Sequence, residues 1–375
     1  MKVAILTITD GCNYGNRLQN YALQNVLEEL GCEVETLRRG TLRDKTGFSL
    51  LKQVMKNMGK TLLGREDTEH YKKRRYRRFQ RFNRQYISFS KDILHDNVAP
   101  EGLAEQFDYF ICGSDQIWNA YFEVVNCDLK NHLAFFAKPE QRVSYAASFG
   151  TNDIAPGYEH LFCDELSKFK AIGVREASGI NIVKKYCDRD DGVEVLDPTL
   201  LISSDKWKKI ASKPGYMRSG KYIVTYFLGG KSDVMSTYIQ NVSNQYRAKV
   251  INLDIEFKQD NEIENKDSFT TTPDEFIWLI ANAECVLTDS FHGTIFAILF
   301  NKPFAVFQRV ATEKGNEMGG RINALLKKFG LTQFYGDIDN PQIYPQPYSK
   351  DYIDLVLQIE RNKSISFLKN SLGIL

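Results

Sequence analysis

The sequence predicts an α/β protein built as two Rossmann-like units facing a central cleft, and three observations carry that expectation. Apolar runs of strand length recur, each ending in a polar or glycine-containing corner, with helical stretches between them. That alternation is the pattern of a parallel sheet. A polar stretch at 203–220, with Pro214-Gly215 and Ser219-Gly220, interrupts the series, and a second strand-helix series opens after it. The length, 375 residues, exceeds what one hydrophobic core ordinarily uses. The expected division is 1–205, carrying a basic helical insertion at about 40–106, then 206–348, then a C-terminal helix in 349–375 that crosses back to the first unit.

The first unit opens with a strand at 3–8, the loop 10–16, and a helix whose Leu18, Ala22, Leu23, Val26, Leu27 and Leu30 share one face and which stops at Gly31. A second strand follows at 33–37. The loop between them has no G-x-G-x-x-G fingerprint and no P-loop Lys-Ser/Thr, which disfavours dinucleotide and nucleoside triphosphate binding. Next comes a helical stripe, Leu51, Val54, Met55, Met58 and Leu62, and then a dense basic run. Residues 60–90 hold ten Lys/Arg against three Asp/Glu, a local +7 in a chain whose net charge is +2. A solvated helix face is the plain reading of such a run, and a membrane surface or anionic partner is the functional one. Nucleic acid is disfavoured because no recognisable binding module accompanies it.

Strands at 109–112, 143–147, 171–174 and 193–196 then lead into Gly113-Ser114-Asp115-Gln116-Ile117-Trp118-Asn119, Ser148-Phe149-Gly150, Arg175-Glu176 and Asp197-Pro198-Thr199. In open parallel sheets the ligand crevice lies beyond the C-terminal strand ends, so these corners should converge. The second unit reads as a strand at 222–228, Gly229-Gly230, a helix at 233–246, a strand at 249–253 and a helix at 273–283. A βαβ unit follows: strand 285–287, corner 289–294, helix 293–300, strand 303–307. The last helix is expected at 352–368. At the 289–294 corner, Ser290, Gly293 and Thr294 sit where a helix N-terminus favours an anion, and His292 sits where a proton acceptor would meet it. Gly229-Gly230 is either a tight turn or a second such phosphate-binding start.

Composition narrows the class further. Seven cysteines are scattered, with no C-x-x-C pair and no histidine at metal-ligand spacing, so neither a zinc site nor a disulfide framework is expected, and a reducing cytoplasmic compartment suits the chain. The N-terminal apolar run ends at Asp10-Gly11 without a small-residue cleavage site, which reads as a first strand. No apolar run reaches the ~20 residues that span a bilayer.

Six ordered motifs carry a family resemblance: Gly11-Cys12-Asn13-Tyr14-Gly15-Asn16-Arg17-Leu18-Gln19-Asn20, Gly113 to Asn119, Tyr145-Ala146-Ala147-Ser148-Phe149-Gly150, Val174-Arg175-Glu176, Leu196-Asp197-Pro198-Thr199 and Asp289-Ser290-Phe291-His292-Gly293-Thr294. Together they resemble the polysaccharide pyruvyl transferases. The resemblance implies a GT-B-like fold. It also implies transfer of the carboxyvinyl group of phosphoenolpyruvate onto two hydroxyls of a sugar, in a polysaccharide or lipid-linked oligosaccharide precursor, with release of phosphate. Phosphoenolpyruvate is then a co-substrate, with no further cofactor. His292 matches the family's functional histidine and Arg175 a ligand-binding arginine. Further cations fall in the downstream region, and which of Arg309, Lys314 and Arg321 reaches the donor stays open.

The chemistry asks for such residues. A donor bearing carboxylate and phosphate needs forked cations, which arginine supplies. Proton delivery to carbon and removal from hydroxyls need an acid and a base, roles that fit His292 and Asp115. Asp115 is otherwise a turn residue, and Arg175 otherwise a structural ion pair. Asn13, Tyr14, Asn16, Ser114, Gln116, Trp118 and Ser148 are the expected acceptor contacts; Tyr14 and Trp118 would stack on a sugar ring or else belong to the core. Residues 48–84 are the candidate peripheral contact with the inner face of a membrane. The competing readings are a GT-B glycosyltransferase using a nucleotide sugar, and a non-catalytic carbohydrate- or anion-binding protein.

Overall fold

The computed structural model describes residues 1–9, 11–40, 68–253, 265–309 and 318–375. Strands β1 (Lys2–Leu6), β2 (Glu33–Gly40), β3 (Phe89–His95), β4 (Tyr109–Cys112), β5 (Arg142–Ala147), β6 (Ala171–Val174) and β7 (Val193–Glu194) form a parallel sheet in the order β3-β2-β1-β4-β5-β6-β7. Chain order reverses between β1 and β4, as in a Rossmann sheet. Strands β8 (Tyr222–Tyr226), β9 (Lys249–Asn252), β10 (Val286–Thr288), β11 (Phe304–Phe307) and β12 (Tyr335–Gly336) form a second parallel sheet, β12-β11-β10-β8-β9, reversing between β8 and β10. The expected two-unit α/β plan is the plan observed. Its central strands are apolar on both faces because helices cover both; β5 and β8 are buried at every residue.

Helices of eight residues or more are numbered in order. In α1 (Tyr14–Glu29), the Asn13 carboxamide accepts the Asn16 N–H at 3.2 Å, and Leu18, Ala22, Leu23, Val26 and Leu27 line the buried face. Gly31, at φ +86°, turns the chain into β2. The basic run forms α2 (Thr68–Tyr86), and here the expected insertion is corrected: α2 is the crossover from β2 to β3, and β3 is the sheet's edge strand. Phe79 and Phe82 bury in an apolar cluster common to both units, and Arg78 pairs with Glu275 of the second, so α2 is an integral part of the packed fold. The helical stripe at 51–62 lies outside the described residues.

The polar stretch at 203–220 is likewise more than a linker. Its Ser204–Ile210 helix buries Trp207 completely, with the indole 5.1 Å from Phe296 of the second unit. The later helices are α3 (Glu159–Leu166), α4 (Ala177–Cys187), α5 (Asp233–Tyr246), α6 (Pro273–Asn282), α7 (Phe291–Leu299), α8 (Met318–Lys328) and α9 (Lys350–Leu372). The expected return helix is α9. Arg361 donates to the carbonyls of Leu200 (2.6 Å) and Ile202 (3.1 Å), and Ser364 Oγ accepts the Leu196 N–H at 3.0 Å. The two units share one apolar cluster, running from Val3 and Leu18 through Tyr14 to Phe276 and Ile295. Their facing edges are therefore firmly packed.

Candidate active site

Because both sheets are parallel, their polar corners gather at the C-terminal strand ends, and the two reversal points face each other. The start of α1 meets the start of α7. A Cβ on Gly15 would lie 2.1 Å from His292 Nδ1, so only glycine at 15 lets the imidazole sit against α1. His292 is nearly buried, at 7% exposure, and its Nε2 is 3.6 Å from Asp197 Oδ2.

Asp197, which ends β7's corner, joins the parts of the site. Its Oδ2 lies 3.2 Å from Arg175 Nη1 and accepts from Ser114 Oγ at 3.1 Å, while Oδ1 accepts the Thr199 N–H and hydroxyl. Burial by itself would raise this carboxyl; the adjacent His292 and Arg175 outweigh it and hold Asp197 well below the usual carboxylate range. Arg175 also stands 3.5 Å from both Asp115 and Glu176, and its guanidinium lies 4.5 Å from the Phe291 ring centroid. Burial would lower its pKa, but Glu176, Asp115 and Asp197 raise it. One guanidinium nitrogen, Nη2, is buried with no hydrogen-bond partner among the described residues. His292 and Phe291 come from the second unit, Arg175 and Asp197 from the first. The expected convergence of His292, Arg175 and Asp115 is what the fold produces.

Two further arginines close on this group. Arg309 Nε is 3.2 Å from Asp289 Oδ2, and Arg309 Nη2 is another buried donor without a partner among the described residues. Asp289 accepts the Leu228 and Gly229 N–H groups at 2.7 and 2.8 Å; burial raises its carboxyl, against the lowering effect of Arg309 and those amides. Arg321, 5% exposed on α8, lies with both Nη atoms 3.2 Å from the Gln116 amide oxygen when that amide is turned to accept. Burial first, then repulsion from Arg175, pulls Arg321 down to about 9, so it stays cationic at neutral pH at an energetic cost. The enclosed space lined by Arg175, Asp197, Phe291 and Arg321 is about 20 Å³, room for a single water.

The remaining expected site residues divide by burial. Tyr14 and Trp118 are core residues: Tyr14 stacks on Phe276 at 4.6 Å and Trp118 packs on Phe149 and Phe169, at 0% and 1% exposure, so neither ring has a face open to a sugar. Ser114 and Ser148 are fully buried and hold carboxylates, Ser114 that of Asp197 and Ser148 that of Glu176 at 2.5 Å. Asn13 and Asn16 form the α1 cap. At α7, Ser290 Oγ accepts the Gly293 N–H and Thr294 Oγ1 donates to the Ser290 carbonyl, so those groups complete the helix start instead of leaving it free for an anion. Gly229 gives its N–H to Asp289, and Gly230 is exposed, two residues before the Ser232 cap of α5. Lys314 lies outside the described residues.

Sequence reasoning missed Asp197, Gly15, Glu176 and Asp289 as site residues. The signal for three of them was present, since Asp289 directly follows β10, Glu176 lies two residues past β6 and Asp197 three past β7, and arginine or histidine stands at a neighbouring strand end.

A family model described as polysaccharide pyruvyl transferase matches residues 13–309, a span that holds five of the six motifs whole and the first of them from Asn13 onward. The chain belongs to the polysaccharide pyruvyl transferase family. No curated protein matches its sequence. Among solved structures it is similar to the UDP-GlcNAc 2-epimerase of Methanocaldococcus jannaschii, with 11% identity over 96% of this chain and 93% of the other and a TM-score of 0.48. It is also similar to the UDP-GlcNAc 2-epimerase of Neisseria meningitidis bound to UDP-GlcNAc, with 9% identity, coverage of 97% and 100%, and a TM-score of 0.44. A third is the E. coli ADP-heptose lps heptosyltransferase II, with 11% identity, coverage of 99% and 98%, and a TM-score of 0.38. These likenesses are too distant to inform the chemistry of this pyruvyl transferase family member, whose catalytic reading rests on the family and on the site.

Proposed function

We propose that this family member transfers the carboxyvinyl group of phosphoenolpyruvate onto two hydroxyls of a sugar in a polysaccharide or lipid-linked precursor, in the cytoplasm. One observation supports the reading above the others: Arg175 and Arg309 each carry a buried N–H without a partner among the described residues, beside Arg321 and His292, where the two units meet. Unmade hydrogen bonds on buried cations are costly, and a ligand with both carboxylate and phosphate would satisfy them.

In this reading His292 protonates the donor's methylene carbon, leaving cationic character on the adjacent carbon. A sugar hydroxyl attacks there, the carbon–oxygen bond to phosphate breaks, and the second hydroxyl closes the ketal. Of the two hydroxyl protons, one replaces the proton His292 gave to carbon and the other leaves with phosphate. Asp115, held 3.5 Å from Arg175, takes the first hydroxyl proton and returns it to His292, so that both groups end the turnover as they began it. Asp197 orients His292 and Arg175 together and does not itself transfer a proton.

The test is incubation with phosphoenolpyruvate and a panel of sugar acceptors, read by phosphate release and product mass. Acceptor-dependent phosphate with a ketal product supports the proposal. Thermal stabilisation by UDP-GlcNAc and none by phosphoenolpyruvate would overturn it in favour of a nucleotide-sugar reaction.

A further inference from the structure

The basic run is absorbed only in part by the fold, and the part left over is one-sided. On α2 the inward face carries Arg75, Phe79, Phe82 and Asn83, all buried. Arg75 Nη2 donates to the Cys12 carbonyl at 2.9 Å and Nη1 to the Tyr14 hydroxyl at 3.2 Å, which braces the loop that meets His292. The outward face carries Lys73, Arg74, Arg77, Arg81 and Arg84, all exposed, with Tyr76 at its edge 53% exposed. Among the described residues none of these five cations has an ion-pair partner; the helix's recorded pairs are Lys72 with Glu69 and Arg78 with Glu275.

We propose that this outward face of α2 docks the protein on an anionic lipid bilayer. The cations extend along about 16 Å of helix axis at 1.5 Å per residue, a row suited to a field of headgroups and longer than a single phosphate needs. Tyr76 has the amphipathic ring favoured at a membrane–water interface. Residues 60–90 hold a local +7 within a chain of net +2, so the rest of the molecule is acidic and the charge asymmetry orients the protein with α2 toward a negative surface. Each cation near such a surface is worth about a fivefold gain in partitioning, so five together reach about three thousandfold over an uncharged helix. Because α2 also braces the 11–16 loop, docking sets the site at a fixed distance from the lipid.

The proposal is independent of the transferase chemistry and is tested without it. The intact protein is sedimented with phosphatidylcholine vesicles containing about a third phosphatidylglycerol, and with pure phosphatidylcholine vesicles. Binding is expected only to the anionic vesicles at low salt and is expected to be lost at about 0.5 M salt, where the screening length falls to a few ångströms. Lys73→Glu/Arg77→Glu/Arg81→Glu should weaken partitioning at least a hundredfold. Lys130→Glu/Lys138→Glu/Lys249→Glu, an equal charge change at exposed positions elsewhere, should bind like wild type. Circular dichroism checks that both variants are folded. Lack of binding at low salt, equal binding to neutral vesicles, or equal loss in both triple variants overturns the proposal. So does binding to soluble dextran sulfate with none to vesicles, which would make the face a site for an anionic polymer.

Discussion

Replacing Asp197 by Asn tests whether one buried carboxylate holds His292 of the second unit and Arg175 of the first together. Asparagine preserves size and an acceptor for Thr199, but removes the charge 3.2 Å from Arg175 and 3.6 Å from His292. Breaking a buried ion pair by removing one partner costs about 3–5 kcal/mol. The lower end applies here, since Arg175 keeps Glu176 and Asp115 at 3.5 Å. At about 2 °C per kcal/mol for a large chain, the midpoint of thermal unfolding should fall by about 6 °C at neutral pH. The pH dependence carries a sharper signature. Asp197 is depressed in the folded protein, so its stabilisation is complete above the unfolded carboxylate value of about 3.9 and is lost as pH falls toward the folded value. Below about pH 4 the wild type loses about 1.4 kcal/mol per pH unit from this group, and the variant loses nothing from it. The gap between them, measured by urea unfolding, should be constant from pH 7 to 5 and narrower by about 1.4 kcal/mol at pH 3. Equal stabilities at pH 7, or a gap as wide at pH 3, would refute the placement of Asp197 as the charge that Arg175 and His292 share.

Three other outcomes are expected. His292→Gln should lower acceptor-dependent phosphate release from phosphoenolpyruvate by about 10²-fold or more, with an unchanged circular dichroism spectrum; turnover equal to wild type would remove the imidazole from the chemistry. Gly15→Ala places a methyl 2.1 Å from His292 Nδ1, so the imidazole must move. Stability should fall by about 1–3 kcal/mol and activity should fall with it, whereas an active variant of wild-type stability would show that the contact is slack. Phosphoenolpyruvate at about a hundred times its dissociation constant should stabilise the wild type by about 2.7 kcal/mol, read as a rise of about 5 °C in a thermal melt. Arg321→Met should lose most of that rise, because the cation whose repulsion with Arg175 the donor relieves is gone.

The candidate site was largely legible in the corners. Arg175 directly follows β6, Asp115 stands three residues past β4 and His292 four past β10 at the start of α7, and a parallel sheet has to bring such positions to one edge. Less legible were the roles of their neighbours. A serine after a strand reads equally as a sugar contact or as a support for a carboxylate, and Ser114 and Ser148 are supports because neither is exposed to a ligand. Tyr14 and Trp118 misled for the same reason, since aromatic character is shared by sugar platforms and cores and only packing separates them.

By itself the sequence determined what is local or periodic: the alternation of strands and helices, the glycine and asparagine that start and stop α1, the division into two series, and the polar corners. It could not determine what depends on which distant surfaces meet. The crossover role of α2 and the edge strand β3 were hidden because basic residues dominate the run, and only the packed sheet shows that Phe79, Phe82 and Arg75 turn inward. Asp197 becomes the shared partner of His292 and Arg175 only when the second unit lays α7 against the ends of the first sheet. That contact joins residues 95 positions apart, and no local propensity encodes it; it follows from burying one apolar cluster common to both units.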